Sequence, residues 1–274
     1  MLWNSTRLMT ALDQLFVKVR AENRAALIAY IPAGFPSQTG CAKVIQTFID
    51  AGVDAIEIGF PYSDPVMDGP TIQAAAVTSL ENGTGAAEVM SALKVATDGG
   101  VAAVVMTYWN PIERYGVEEF AEAIAANGGS GVITPDLTIE ESVAWLGATK
   151  QNSINPIYVI APSTSDARMP KVTAACGGFV YAASLMGVTG ARNSVSSGAA
   201  DLVARIRTTT DLPVAVGLGV STREQAKGVA AYADGVIVGS AFIKALQDAP
   251  NEEAGLAAVK ELATELAKGV REGR

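Results

Sequence analysis

Eight short apolar runs, at 26–31, 55–59, 102–107, 131–134, 156–161, 179–184, 214–217 and 235–238, punctuate this chain. Stretches of helical periodicity lie between them, at 42–51, 86–96, 117–126, 140–148, 168–175, 198–209 and 222–231, and a last one runs from 252 to 270. Strands that alternate with helices must run parallel, because each crossover returns the chain to the same edge. Eight such units predict a (β/α)8 barrel, the TIM barrel, and 274 residues suit it. The rival is an open doubly wound sheet, whose first turn is normally glycine-rich. Here that turn reads Pro32-Ala33-Gly34-Phe35-Pro36 and has no GxGxxG pattern. With no Ser- or Pro-rich linker, residues 1–274 read as a single domain. Residues 1–24 form an N-terminal helical extension, with Leu8, Leu12, Leu15, Phe16 and Val19 at helical spacing.

The chain contains no histidine. That excludes Ser-His-Asp hydrolases, imidazole proton shuttles and His-ligated zinc, and leaves acid–base work to carboxylates, Tyr, Lys or Cys. Hydrophobic residues make up 49% and charged residues 18%, so a large core is expected. A net charge of −8 argues against sequence-independent nucleic-acid binding and against docking on anionic lipid. No apolar run has membrane-spanning length, and the start lacks the pattern of a signal peptide. Cys41 and Cys176 fall in helical patterns and are expected as buried thiols of a reduced, cytoplasmic protein.

The densest chemistry lies between Asp54 and Gln73, in DAIEIGFPYSDPVMDGPTIQ. Side chains alternate along a strand, so if Ile56 and Ile58 face the helices, Glu57 points into the barrel near the strand's C-terminal end. Active sites of such barrels lie at that end. A carboxyl group there must be paired, hydrogen-bonded or raised in pKa, and a purely structural glutamate fits the same position. Ser63, Asp64 and Asp68 follow in a loop stiffened by Pro and Gly, with Asp68 placed to reach over the barrel mouth. For Asp64 and Asp68 turn capping is the competing reading. A second signal recurs after the last three strands, in Gly187-Val188-Thr189-Gly190, Gly217-Leu218-Gly219 and Gly239-Ser240. Glycine turns open backbone amides to an anion, and a helix N-terminus adds partial positive charge. In this order they predict a phosphate site.

In these residues the chain resembles the tryptophan synthase alpha subunit, from about Ala25 to Ile243. The resemblance implies cleavage of indole-3-glycerol phosphate to indole and glyceraldehyde 3-phosphate. It makes Glu57 the catalytic acid–base and Asp68 the carboxylate facing the indole N–H. It also implies that Gly190, Gly219, Gly239 and Ser240 hold the phosphate, with Tyr181 near the glycerol carbons and Thr189 closing the site over Asp68. Tyr30, Met106, Tyr108, Ile133 and Val159 would line the indole pocket. No cofactor or metal is implied for this chain; pyridoxal phosphate would sit on a beta subunit in an α2β2 assembly. Contacts with that partner would come from residues 61–70 and 187–192. Ala74-Ala75-Ala76 departs from the family's usual polar residues and leaves the strength of partner coupling open.

Two alternatives stay open beside this expectation: a free-standing indole-3-glycerol phosphate lyase, and a phosphate-binding barrel without catalysis. A Schiff-base aldolase is disfavoured, because the nine lysines all fall in predicted helices or loops.

Overall fold

In the computed structural model, residues 8–183, 195–217 and 219–274 are described. Nine strands make one wholly parallel sheet: β1 (Ala26–Pro32), β2 (Ala55–Gly59), β3 (Ala102–Met106), β4 (Gly131–Ile133), β5 (Asn155–Ile157), β6 (Val159–Ile160), β7 (Val180–Ala183), β8 (Val214–Gly217) and β9 (Gly235–Val238). Their order is β5-β4-β3-β2-β1-β9-β8-β7-β6. The two ends of this list are consecutive in the chain. The expected strand at 156–161 divides at Tyr158, so that β5 pairs with β4 and β6 pairs with β7. The Tyr158 carbonyl accepts from the Tyr181 N–H at 3.2 Å, and chain continuity through Tyr158 closes the barrel. Nine segments therefore build the eight-stranded ring that the alternation predicts.

Strand alternation sorts the apolar residues into two cores. Ala26, Ile28, Ala55, Ala102, Val104, Ile133, Ile157, Ala215 and Ile237 fill the ring. Leu27, Ile31, Ile56, Ile58, Ala103, Val105, Val236 and Val238 face the surrounding helices. A strand buried on both sides reads as a continuous apolar run, which is why these segments stood out in the sequence. The helix Ala11–Ala21 caps the N-terminal end of the ring, putting Leu12, Phe16 and Val19 into the inner core. Phe16 meets Phe179 with ring centroids 5.7 Å apart. Thr10 and Asp13 form a capping box that starts this helix. Asn155 ties it to the barrel, its Nδ2 donating to the Thr10 hydroxyl at 3.0 Å and to the Ser130 carbonyl at 3.0 Å. Leu8, expected in the apolar stripe, precedes the helix and is 82% exposed.

The remaining helices follow the periodicity, with shifted ends. The pattern at 140–148 becomes Val143–Gln151, and that at 252–270 becomes Glu252–Glu272. Trp109–Tyr115 is a helix that no pattern announces: it is about two turns long and carries Pro111. Its start is set from outside, by the Trp109 N–H donating to both Asp136 oxygens at 2.9 and 3.1 Å. Both cysteines are free and buried. Cys41 lies within the helix Gln38–Asp50, whereas Cys176 sits just past the helix Met169–Ala175 in extended backbone. Burial pushes the Cys41 thiol up to about 11 and the Cys176 thiol up to about 12, which keeps both as inert thiols. Among the described residues, no helix is long and apolar enough to cross a membrane.

Candidate active site

At the C-terminal end of the strands a cavity of about 550 Å³ opens to solvent. Glu57 sits on its wall, on the inner face of β2 and 1% exposed. In β2 the neighbours Ile56 and Ile58 face the helices, and Glu57 between them points into the barrel, as strand alternation predicts. Its Oε2 is buried without a hydrogen-bond partner. Burial, reinforced by the charge of Asp68, pushes the Glu57 pKa up to about 8. Glu57 is therefore mostly protonated at neutral pH and able to donate a proton.

Asp68 lines the same cavity from the loop after β2. That loop is fastened at several points. The Met67 N–H donates to the Tyr108 hydroxyl at 3.1 Å, and the Gln73 side-chain amide donates to the Asp68 carbonyl at 2.7 Å. Pro70 at the first position of the helix Pro70–Glu81 fixes its exit. Partial burial raises the Asp68 pKa, and a hydrogen bond from Tyr108 opposes that rise. The two carboxyl groups thus occupy different environments in one pocket. Asp64, by contrast, is exposed and accepts from the Ser63 hydroxyl at 2.6 Å.

Tyr30, Met106, Ile133, Val159 and Tyr181 all line the cavity, as do Gly219, Gly239 and Ser240. Tyr108 does not: it lies behind the loop, with its ring 5.3 Å from that of Tyr62 and its hydroxyl turned to Asp68 and Met67. From there it braces Asp68 and the loop. Gly219 has φ +66°, a conformation that L side chains rarely adopt and that favours glycine there. Gly239 is the cap residue of the helix Ser240–Gln247, which starts without a side-chain cap and so leaves amide groups for an anion. Thr189 and Gly190 lie outside the described residues, as does Leu218.

The cavity also takes in Pro135, Ala161, Pro162, Ser163 and Ile237, which the motif reading missed. The signal was present: the first four follow directly on strands β4 and β6, where a barrel places its mouth. The lining holds no Lys, Arg or His among the described residues. All nine lysines lie on helices, so a Schiff-base nucleophile has no place in the pocket. Among the described residues no group of three or more His, Cys, Asp or Glu could hold a metal ion.

Of the three alanines that depart from the expected polar pattern, Ala75 and Ala76 are buried and only Ala74 is exposed. The outer side of that helix instead presents Val77, 52% exposed, and Leu80, 37% exposed.

Comparison with known proteins agrees with this geometry. The family model of the tryptophan synthase alpha chain matches residues 16–271. The tryptophan synthase alpha chain of Streptomyces avermitilis is 54% identical over 263 residues, covering 96% of this chain and 95% of that one. That of Streptomyces coelicolor is 52% identical over 261 residues, covering 95% and 96%. A crystal structure of tryptophan synthase from M. tuberculosis in an open form superposes with a TM-score of 0.88 at 44% identity, over 96% of this chain and 100% of that one. A crystal structure of the alpha subunit from Legionella pneumophila reaches 0.87 at 29% identity. By barrel, cavity and sequence alike, this chain belongs to the tryptophan synthase alpha chain family.

Proposed function

We infer that this protein cleaves indole-3-glycerol phosphate to indole and glyceraldehyde 3-phosphate in tryptophan biosynthesis, with Glu57 as the acid–base and Asp68 as the ionised carboxylate. The observation that carries the residue roles is the pairing in one cavity of a fully buried Glu57, raised to about 8, with a less buried Asp68. A retro-aldol cleavage of this substrate needs those two states. Indole is a poor carbanion leaving group, so its C3 must first be protonated. Protonated Glu57 gives that proton, and positive charge develops on the ring nitrogen, where Asp68 stabilises it. The hydroxyl on the carbon bonded to C3 then loses its proton to the Glu57 carboxylate. The C–C bonding pair moves into the ring and neutralises the nitrogen, while the carbinol carbon becomes the aldehyde. Indole leaves, and Glu57 ends protonated as it began. Dividing the labour between carboxyl groups of separated pKa is a general device.

In this reading Tyr30, Met106, Ile133 and Val159 hold the indole, and Tyr181 stands by the glycerol carbons. Gly219, Gly239 and Ser240 grip the phosphate through amides and a hydroxyl, so a pocket without cations suffices. Thr189 and Gly190 complete that reading from the segment outside the described residues. The chain acts as one domain over residues 1–274, in the cytoplasm, without a cofactor of its own. Its partner is a beta subunit carrying pyridoxal phosphate, in an α2β2 assembly. Exposed Val66, Met67, Val77 and Leu80, on the loop and helix after β2, support an apolar docking face.

Glu57→Gln tests the assignment, since it keeps the shape and removes the proton. Turnover measured as indole release is expected to fall by about 10²–10⁴-fold with substrate affinity retained. A variant that still releases indole at near the parent rate sinks the acid–base role.

A further inference from the structure

Glu57 must spend part of each turnover as a carboxylate, in a site where its Oε2 has no partner. A fully buried carboxylate without a donor is costly, so a donor is needed for that state alone. Tyr30 stands beside Glu57 in the sheet. It is the register partner of Glu57 across β1 and β2, so both side chains stand side by side on the inner face. Gly59 lies two residues beyond Glu57 on the same face of β2, one step nearer the mouth. The Tyr30 hydroxyl lies over Gly59, so close that a Cβ there would overlap the phenol oxygen. The other side of the ring is seated against Gly239, where a Cβ would come within 2.9 Å of Tyr30 Cδ1. Two glycines thus hold the phenol across β2, directly on the mouth side of the carboxyl group.

The other titratable groups around Glu57 suit the part less well. Asp68, from the loop, repels a second negative charge. The Tyr108 hydroxyl is taken by Asp68 and the Met67 N–H. The Tyr181 hydroxyl, on β7, feels the Glu57 charge but is seated over Gly217 of β8, and Tyr181 is not a sheet neighbour of Glu57. No Lys, Arg or His lines the cavity among the described residues. We propose that the Tyr30 hydroxyl is the hydrogen-bond donor that receives Glu57 in its ionised form, which makes Tyr30 a positioning residue for the proton shuttle as well as an aromatic wall. Burial, with Asp68 and Glu57 adding, holds the phenol well above its usual range, so it keeps its proton and stays a donor throughout the cycle. The inference rests on Glu57 being the acid–base.

Tyr30→Phe keeps the ring and deletes the donor. In the complex with the beta subunit, kcat for indole release should fall about tenfold with KM within about twofold, as a lost hydrogen bond to a charged group predicts. Removing a donor to the ionised form raises the Glu57 pKa, so the descending limb of kcat against pH should move up by about one unit. The carboxyl carbon resonance of Glu57 in ¹³C-glutamate-labelled protein, assigned through Glu57→Gln, should titrate at correspondingly higher pH. An aromatic wall alone leaves kcat, the limb and the resonance unchanged in Tyr30→Phe, and that result overturns the proposal. Failure of the underlying reading looks different: Glu57→Gln then remains active, whatever Tyr30→Phe does.

Discussion

Glu57 carries a conflict between stability and function. Its pKa in the folded protein is about 8, against 4.5 for an exposed glutamate. Below pH 4.5 the carboxyl is protonated folded or unfolded, and burying it carries no charge penalty. Between about 4.5 and 8 the unfolded chain gives up the proton while the folded one keeps it, so stability is lost as pH rises through that window. Glutamine has no proton to lose. Glu57→Gln should therefore melt at about the parent temperature near pH 4.5 and at least about 2–4 °C higher near pH 8.5, the response expected for about 1 kcal/mol in a chain of this size. Equal melting temperatures at both pH values would mean that the carboxyl group is not desolvated.

Among the elements, the N-terminal helix Ala11–Ala21 is the one whose role the sequence left open. Its amphipathic stripe was visible, but the surface it covers belongs to strands far along the chain. Phe16 is 4% exposed and packs on Phe179, at the opposite end of the ring from the cavity. Phe16→Ala should destabilise the protein by about 3–5 kcal/mol, read from denaturant unfolding, with KM unchanged. A loss below about 1 kcal/mol would mean that the helix covers the floor without sealing it. The fifth strand carries a comparable lesson. The run at 156–161 was legible as strand, yet the break at Tyr158 was not, because it arises where the strand hands over from β4 to β7 to close the ring. The helix Trp109–Tyr115 escaped notice for a similar reason, its first N–H being capped by Asp136 from another loop.

For the whole molecule, the face beside the mouth matters most. Val77 and Leu80 project from the helix that follows the loop carrying Asp68, and Gln73 of the same helix holds the Asp68 carbonyl. A partner seated on this helix is therefore mechanically connected to Asp68. Leu80→Asp should weaken stimulation of indole release by the beta subunit at least about tenfold in the partner concentration required, the effect of a charge in an apolar interface. Basal release by the isolated chain should stay at its parent value. Undiminished stimulation would move the docking face elsewhere.

What the sequence determined by itself was whatever depends on neighbours along the chain. The eightfold alternation dictated a parallel barrel, and the alternation within β2 put Glu57 inside. The missing histidine left acid–base chemistry to carboxylates, Tyr, Lys or Cys. Tertiary structure alone decided the rest: that Tyr108 stands behind Asp68 instead of lining the pocket, that Pro135, Ala161, Pro162 and Ser163 complete the mouth, and that Tyr30 lies over Gly59. The division is physical. Periodicity and turn chemistry are local, whereas a buried carboxyl group's proton affinity is set by the solvent it loses and the charges it meets, and both appear only when the ring closes.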